Sequence, residues 1–238
     1  MLTAMWVFPL VAALVAFAFA AALPKQFAER HRPYQLLWAL SLVMYGAASI
    51  ALVVGVVQGW SASVFGIFWA LGAVLNVPFL AAGEVELLAR NRTVDLVVDL
   101  ILIFLVAYTV AVLRKASVDT SALAERLPSG KHVFGAGSPA HRLPQLISIP
   151  SYLILLLGTL WSAWKMRGRP ELRDRFIGTL LIALGATVIA GFGSAFAATG
   201  LLPAFSVALL VGIAVMFAGF LRASRPVRVP ETTQTPPS

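Results

Sequence analysis

The sequence predicts an all-α membrane protein of seven transmembrane helices. Three observations carry that expectation. The residues are 60% hydrophobic and only 12% charged, with a mean hydropathy of +0.89, whereas soluble domains run to about 25% charged. The apolar residues fall into runs of about 20, the length that crosses a hydrocarbon core of about 30 Å. The basic residues sit in the short links between those runs, where they set topology and do not form a nucleic-acid surface. The formal charge of +8 therefore implies a lipid bilayer as partner and no nucleic acid.

The first run, 4–23, has no basic stretch before it and ends in AALPKQ, a poor cleavage site. It reads as a retained helix and not a signal peptide. A basic link follows, then spans at 34–57 and 62–82 joined by the uncharged turn 58–61. Link three, 83–93, mixes Glu84, Glu86, Arg90 and Arg92, and span four covers 94–113. A long segment, 114–143, leads to spans at 146–164, 176–198 and 201–221. The single transmembrane domain thus occupies 1–221, and 222–238, ending PETTQTPPS, reads as a disordered cytoplasmic tail. Thirteen of the 18 Lys and Arg lie on one side of this arrangement and five on the other. The positive-inside rule then places the protein in a plasma (inner) membrane, N-terminus and 114–143 outside, C-terminus inside.

Shifting the chain by 141 residues lays spans one to three on spans five to seven. Pro9 falls on Pro150, Arg32 on Arg173 and Gly59 on Gly200. Two readings stand: a duplicated three-helix unit (4–89 and 145–222) joined by an inverting linker helix, 94–113, or the regular spacing of any seven-helix chain. The first would give a 3+1+3 parallel repeat, an arrangement used by some transporters.

With no cysteine in the chain, a disulfide, a thiol nucleophile or a Cys-ligated metal is excluded. His31, His132 and His141 lie in links without metal spacing, and span seven has no lysine for a Schiff base. GAGSP, 135–139, lacks the ending of a phosphate loop and any following helix signal. The expectation is no catalytic residue, no metal site and no cofactor.

Polar groups within the apolar runs are the remaining candidates. Asn76 and Pro78 interrupt span three. Pro78 has no N–H for the carbonyl of Val74, so the helix should kink there and offer carbonyls and an amide to a ligand or to a neighbouring helix. Ser41, Tyr45 and Ser49 are four apart in span two and could line a cavity. Ala186, Ala190, Ser194 and Ala198, with Gly185 and Gly193 alongside, form a small-residue stripe in span six that suits close helix packing. Asp95 and Asp99, one turn apart at the start of span four, join Glu84 and Glu86 in a membrane-edge ionisable cluster. Such groups can move protons or bind cations, or complement the helix dipole and pair with Arg90 and Arg92. The six tryptophans fall mostly near span ends and read as an interfacial belt.

The runs FGIFWALGAVLNVPFLAAGEVELL, LIALGATVIAGFG and VGIAVMFAGFL resemble a family of uncharacterised bacterial seven-helix membrane proteins, a resemblance that implies no activity. In architecture alone the chain is similar to SWEET-type 3+1+3 sugar carriers, whose third-helix Asn is matched by Asn76. Their partner Asn in the seventh helix is replaced here by Met216, and the Pro-Gln pair, Pro144–Gln145, occurs only once. The sequence thus predicts a non-enzymatic accessory, scaffold or sensor-like component with a membrane-protein partner or a second copy. The second reading is a small-solute or lipid carrier with a site between two repeats near Asn76, to which Pro78, Tyr45, Ser49 and Ser194 would contribute.

Overall fold

Each apolar run folds as a helix, because in lipid a backbone must satisfy its own hydrogen bonds. The computed structural model describes residues 5–30 and 34–225. The long helices are α1 (Val7–Arg30), α2 (Tyr34–Gln58), α3 (Ala62–Ala89), α4 (Arg92–Lys115), α5 (Pro139–Met166), α6 (Pro170–Ala198) and α7 (Leu202–Ala223). Helices α2 to α7 are each long and apolar enough to cross a membrane; α1 has a shorter apolar stretch, Val7–Leu23.

The helices outrun the hydropathy boundaries, because a helix continues past its apolar stretch wherever polar residues tolerate it. Helix α3 runs to Ala89, so Glu84 and Glu86 are helical and the link shrinks to Arg90–Asn91. Arg90 closes α3 in the left-handed region, φ 48°, and the Asn91 side chain caps α4 by accepting from the Thr93 N–H at 2.9 Å. Asp95 sits in the first turn of α4 and Arg114 and Lys115 in its last, matching both ends of the helix dipole. Helix α5 starts at Pro139, capped by Ser138, so a helix does follow GAGSP directly. Helix α7 reaches Ala223, and Arg222, expected in the tail, is helical and paired with Asp174 at 3.0 Å. The rest of the tail beyond Arg225 lies outside the described residues, as do His31 and Arg32.

The packing closes a ring. Successive contacts run α1–α2, α2–α3, α3–α5, α5–α6, α6–α7 and α7–α1. Helix α4 stands outside this ring against α3 and the start of α5, with most of its apolar surface exposed. Gly59 and Gly200, in the turns that precede α3 and α7, both take left-handed conformations, φ 93° and 68°.

The tightest seam joins α6 to α7. A Cβ on Gly178 would lie 2.5 Å from the Gly219 carbonyl oxygen, and one on Gly185 would lie 2.5 Å from that of Gly212. Two glycine pairs, seven residues apart on each helix, thus bring backbone against backbone. Of the small-residue stripe expected in α6, Gly185 takes part in this contact and Ala186 is buried, whereas Ser194 and Ala198 are exposed.

The segment between α4 and α5 is folded over one end of the ring. Ala122, Leu123, Leu127, Val133 and Phe134 are buried in the main core. Trp60 Nε1 donates to the Arg126 carbonyl at 3.1 Å and Trp69 Nε1 to the Ala140 carbonyl at 3.0 Å. Phe65 stacks between these indoles and Phe134. Hydrogen bonds from the Ser121 hydroxyl and N–H to Asp119 tighten the segment's first turn and hold that carboxyl below its ordinary range. Trp60 and Trp69 are therefore anchors for this segment and not belt residues, and Trp38 also points inward, donating to the Leu80 carbonyl at 3.0 Å. Trp6, Trp161 and Trp164 are exposed, as a belt requires; Lys165 lies over Trp161 and Arg167 over Trp164.

Candidate functional site

The break in α3 is filled by its neighbours. Phe68–Leu75 is a π-helical stretch ending three residues before Pro78, so the turn is already widened where the proline ring arrives. The Val74 carbonyl freed by Pro78 accepts from the Ser148 hydroxyl of α5 at 3.0 Å, and the same hydroxyl reaches the Ala73 carbonyl at 2.7 Å. The Asn76 carbonyl accepts from the Ser41 hydroxyl at 2.6 Å. Asn76 itself is 5% exposed and its Oδ1 has no partner. Ser49 is buried in α2, and Tyr45 donates across the ring to the Leu209 carbonyl of α7 at 2.9 Å. These residues cross-link helices, and the opened backbone of α3 is occupied by serine hydroxyls.

The four membrane-edge carboxylates separate into two places. Glu86 is buried, near enough to Asp95 and Asp99 for their charges to act on it, while Asp99 is exposed. Among the described residues, the ion pairs are His132–Glu125 and Arg222–Asp174, so Arg90 and Arg92 pair with none of the four.

Glu84 faces the opposite way. Two residues apart on a helix means about 200° of rotation, which turns Glu84 into the ring where Glu86 faces outward. Glu84 lines a central cavity of about 70 Å³ to which all six ring helices contribute. Phe19 comes from α1, Trp38 and Leu42 from α2, Thr159 and Ser162 from α5, Thr179 from α6, and Met216 and Phe220 from α7. Glu84 is 3% exposed, and its Oε1 accepts from the Ser162 hydroxyl at 3.2 Å. The room for it is made by Gly158 of α5, where a Cβ would lie 2.6 Å from Glu84 Cγ and 3.3 Å from Oε1.

Position along the helices fixes where this cavity lies. Glu84 is five residues from the end of α3, about 8 Å along the axis. Trp38, Ser162, Thr179 and Phe220 are likewise near the ends of their helices that meet the basic links. Tyr45 and Leu209 sit deeper, so their hydrogen bond bars the ring on the far side of the cavity. Asn76, Pro78, Ser49 and Ser194 do not line it.

No protein family, curated protein or solved structure matches this chain. The resemblance to bacterial seven-helix proteins therefore rests on the three quoted segments alone, and the reading of the site rests on its own chemistry. That chemistry is a carboxylate with one hydroxyl partner, among apolar walls, at membrane depth. A buried carboxylate is costly unless it is paired or can take up a proton. Intramembrane acids that persist this way mark ion or solute paths.

The sequence drew attention to Asn76 and placed Glu84 in a link. What distinguishes Glu84 is its position opposite a glycine and a serine four residues apart, Gly158 and Ser162, which lie 74 and 78 residues further on. Only the ring brings them together.

Proposed function

We propose that the protein is a seven-span carrier of a small solute, with its site in the ring cavity at Glu84 and not at Asn76. The observation that carries this reading is the lone buried Glu84 carboxylate on a cavity lined by α1–α3 and α5–α7 together. A site shared by two three-helix groups is what a rocking carrier needs, because movement of one group against the other exposes it to alternate sides. The exclusion of α4 from the ring and the matched left-handed turns at Gly59 and Gly200 support a 3+1+3 duplication. The bias of Lys and Arg supports a plasma-membrane orientation with the cavity end and the C-terminus in the cytoplasm.

The absence of cysteine from the chain makes the test direct. Thr179→Cys introduces a single thiol into the cavity wall. In right-side-out and inverted vesicles, a membrane-impermeant maleimide is expected to label it from both sides. Tyr45→Phe, which removes the bar to Leu209, should raise labelling from the outer side severalfold. Labelling from the cytoplasmic side alone, in both proteins, would overturn the carrier reading.

The non-enzymatic accessory reading draws on a different observation, the folded segment that closes the outer end of the ring. On that reading the segment is a contact surface for another membrane protein. A stoichiometric partner retained through gentle extraction, together with one-sided labelling, would favour it.

A further inference from the structure

The cavity at Glu84 selects for charge, size and shape at once. Among the described residues, its only charged group is a carboxylate, and no Lys, Arg or His lines it. Around that carboxylate stand three aromatic side chains, Trp38, Phe19 and Phe220, the two phenyl rings with centroids 4.8 Å apart. Aromatic faces attract cations and are favourable surfaces for methyl groups on nitrogen. The volume of about 70 Å³ is roughly half that of an apolar cavity of about 150 Å³ that takes up benzene, so it holds a few non-hydrogen atoms. A sugar or a lipid headgroup with its glycerol does not fit that space. A bare alkali ion fits, but the wall offers too few oxygens to replace its water. Its side-chain oxygens are the carboxylate of Glu84, whose Oε1 already accepts from Ser162, and the hydroxyls of Ser162, Thr159 and Thr179.

From this combination we propose that the cavity binds a small alkylammonium cation. The N–H groups of such a cation donate to the free oxygen of Glu84. Its methyl groups lie against Phe19, Phe220 and Met216. The inference deepens the carrier reading and rests on its choice of site, but binding is measured separately from movement.

The test uses the purified full-length protein and methylammonium chloride, with KCl at equal ionic strength as the control. Methylammonium is expected to raise the unfolding temperature in a saturable way that KCl does not reproduce. Glu84→Gln keeps the shape of the side chain and removes the charge, and should weaken the midpoint concentration at least tenfold. Gly158→Ala displaces Glu84 from its place and should weaken it comparably, so one variant serves if the other fails to fold. Tetramethylammonium, which has no N–H and is too bulky for the space, should shift the unfolding temperature no more than KCl does. Equal responses to methylammonium and KCl, or an unchanged midpoint in Glu84→Gln, overturn the proposal. Saturable, Glu84-dependent binding with one-sided labelling of Thr179→Cys keeps it and removes the carrier. Two-sided labelling without such binding keeps the carrier and removes the alkylammonium.

Discussion

Ser148 shows how a single hydroxyl can decide whether a proline kink is a site or a joint. Its O–H serves the Ala73 and Val74 carbonyls at the point where Pro78 withholds an N–H. Ser148→Ala should strand both carbonyls in the bundle and cost about 1 kcal/mol, the upper range for interhelical hydrogen bonds in lipid. Adding Pro78→Ala restores an N–H for Val74, so the double variant should recover part of that loss. A thermal-unfolding cycle with a coupling of at least about 0.5 kcal/mol would confirm it, and strict additivity would refute it. Asn76 and Pro78 were legible in the sequence as an interruption. The donor that closes it was not, because Ser148 sits 70 residues later and nothing local marks its partner. The same holds for Glu84: the carboxylate was visible, but its direction depends on a helix that continues to Ala89, beyond where hydropathy ends.

At the scale of elements, six long apolar helices were legible from composition alone, since the bilayer leaves the backbone no alternative. Which faces meet was harder. The small-residue stripe in α6 pointed to close packing and included Gly185, yet the contact also uses Gly178, and its partners Gly219 and Gly212 were not singled out. Seven-residue spacing is two turns, and glycines scattered through an apolar helix do not announce which pairs touch. Gly185→Ala forces a Cβ to within 2.5 Å of the Gly212 oxygen and 2.8 Å of the Met216 nitrogen, both backbone atoms that cannot rotate aside. We expect a loss of about 1–3 kcal/mol, measured by thermal unfolding. Gly66→Ala, where a Cβ meets nothing within 4 Å, should instead gain up to about 1 kcal/mol from helix propensity. If both substitutions behave alike, the glycine pairs do not set the α6–α7 contact.

On the scale of the whole molecule, the two ends of the ring are unlike. One end carries the cavity among the basic links; the other is stoppered by the segment between α4 and α5. The length of that segment was plain in the sequence, whereas its fold depends on tryptophans from α3 and the turn before it. Replacing Trp60 and Trp69 with Phe removes both indole N–H donors and should loosen it. Trypsin cleavage at the exposed Arg126 and Lys131, followed by mass spectrometry, is expected to accelerate severalfold while the helices stay intact. Unchanged cleavage would mean that burial of Leu127, Val133 and Phe134 holds the segment without the indoles.

The ring has two seams between its three-helix groups, and they are made of different material. Along α3–α5, hydroxyls of Ser148 and Ser162 and the indole of Trp69 reach across to partners on the other helix. Along α1–α7, the contact is Phe19 on Phe217 and Phe220, with no side-chain hydrogen bond among the described residues. Parting the first seam strands polar groups in hydrocarbon. Parting the second exchanges ring-to-ring dispersion for contact with acyl chains, and also breaks the hydrogen bond from Tyr45 of α2 to the Leu209 carbonyl of α7. On the carrier reading, the molecule is therefore expected to open like a book, with α3 and α5 as its spine and α1 and α7 as the fore-edge.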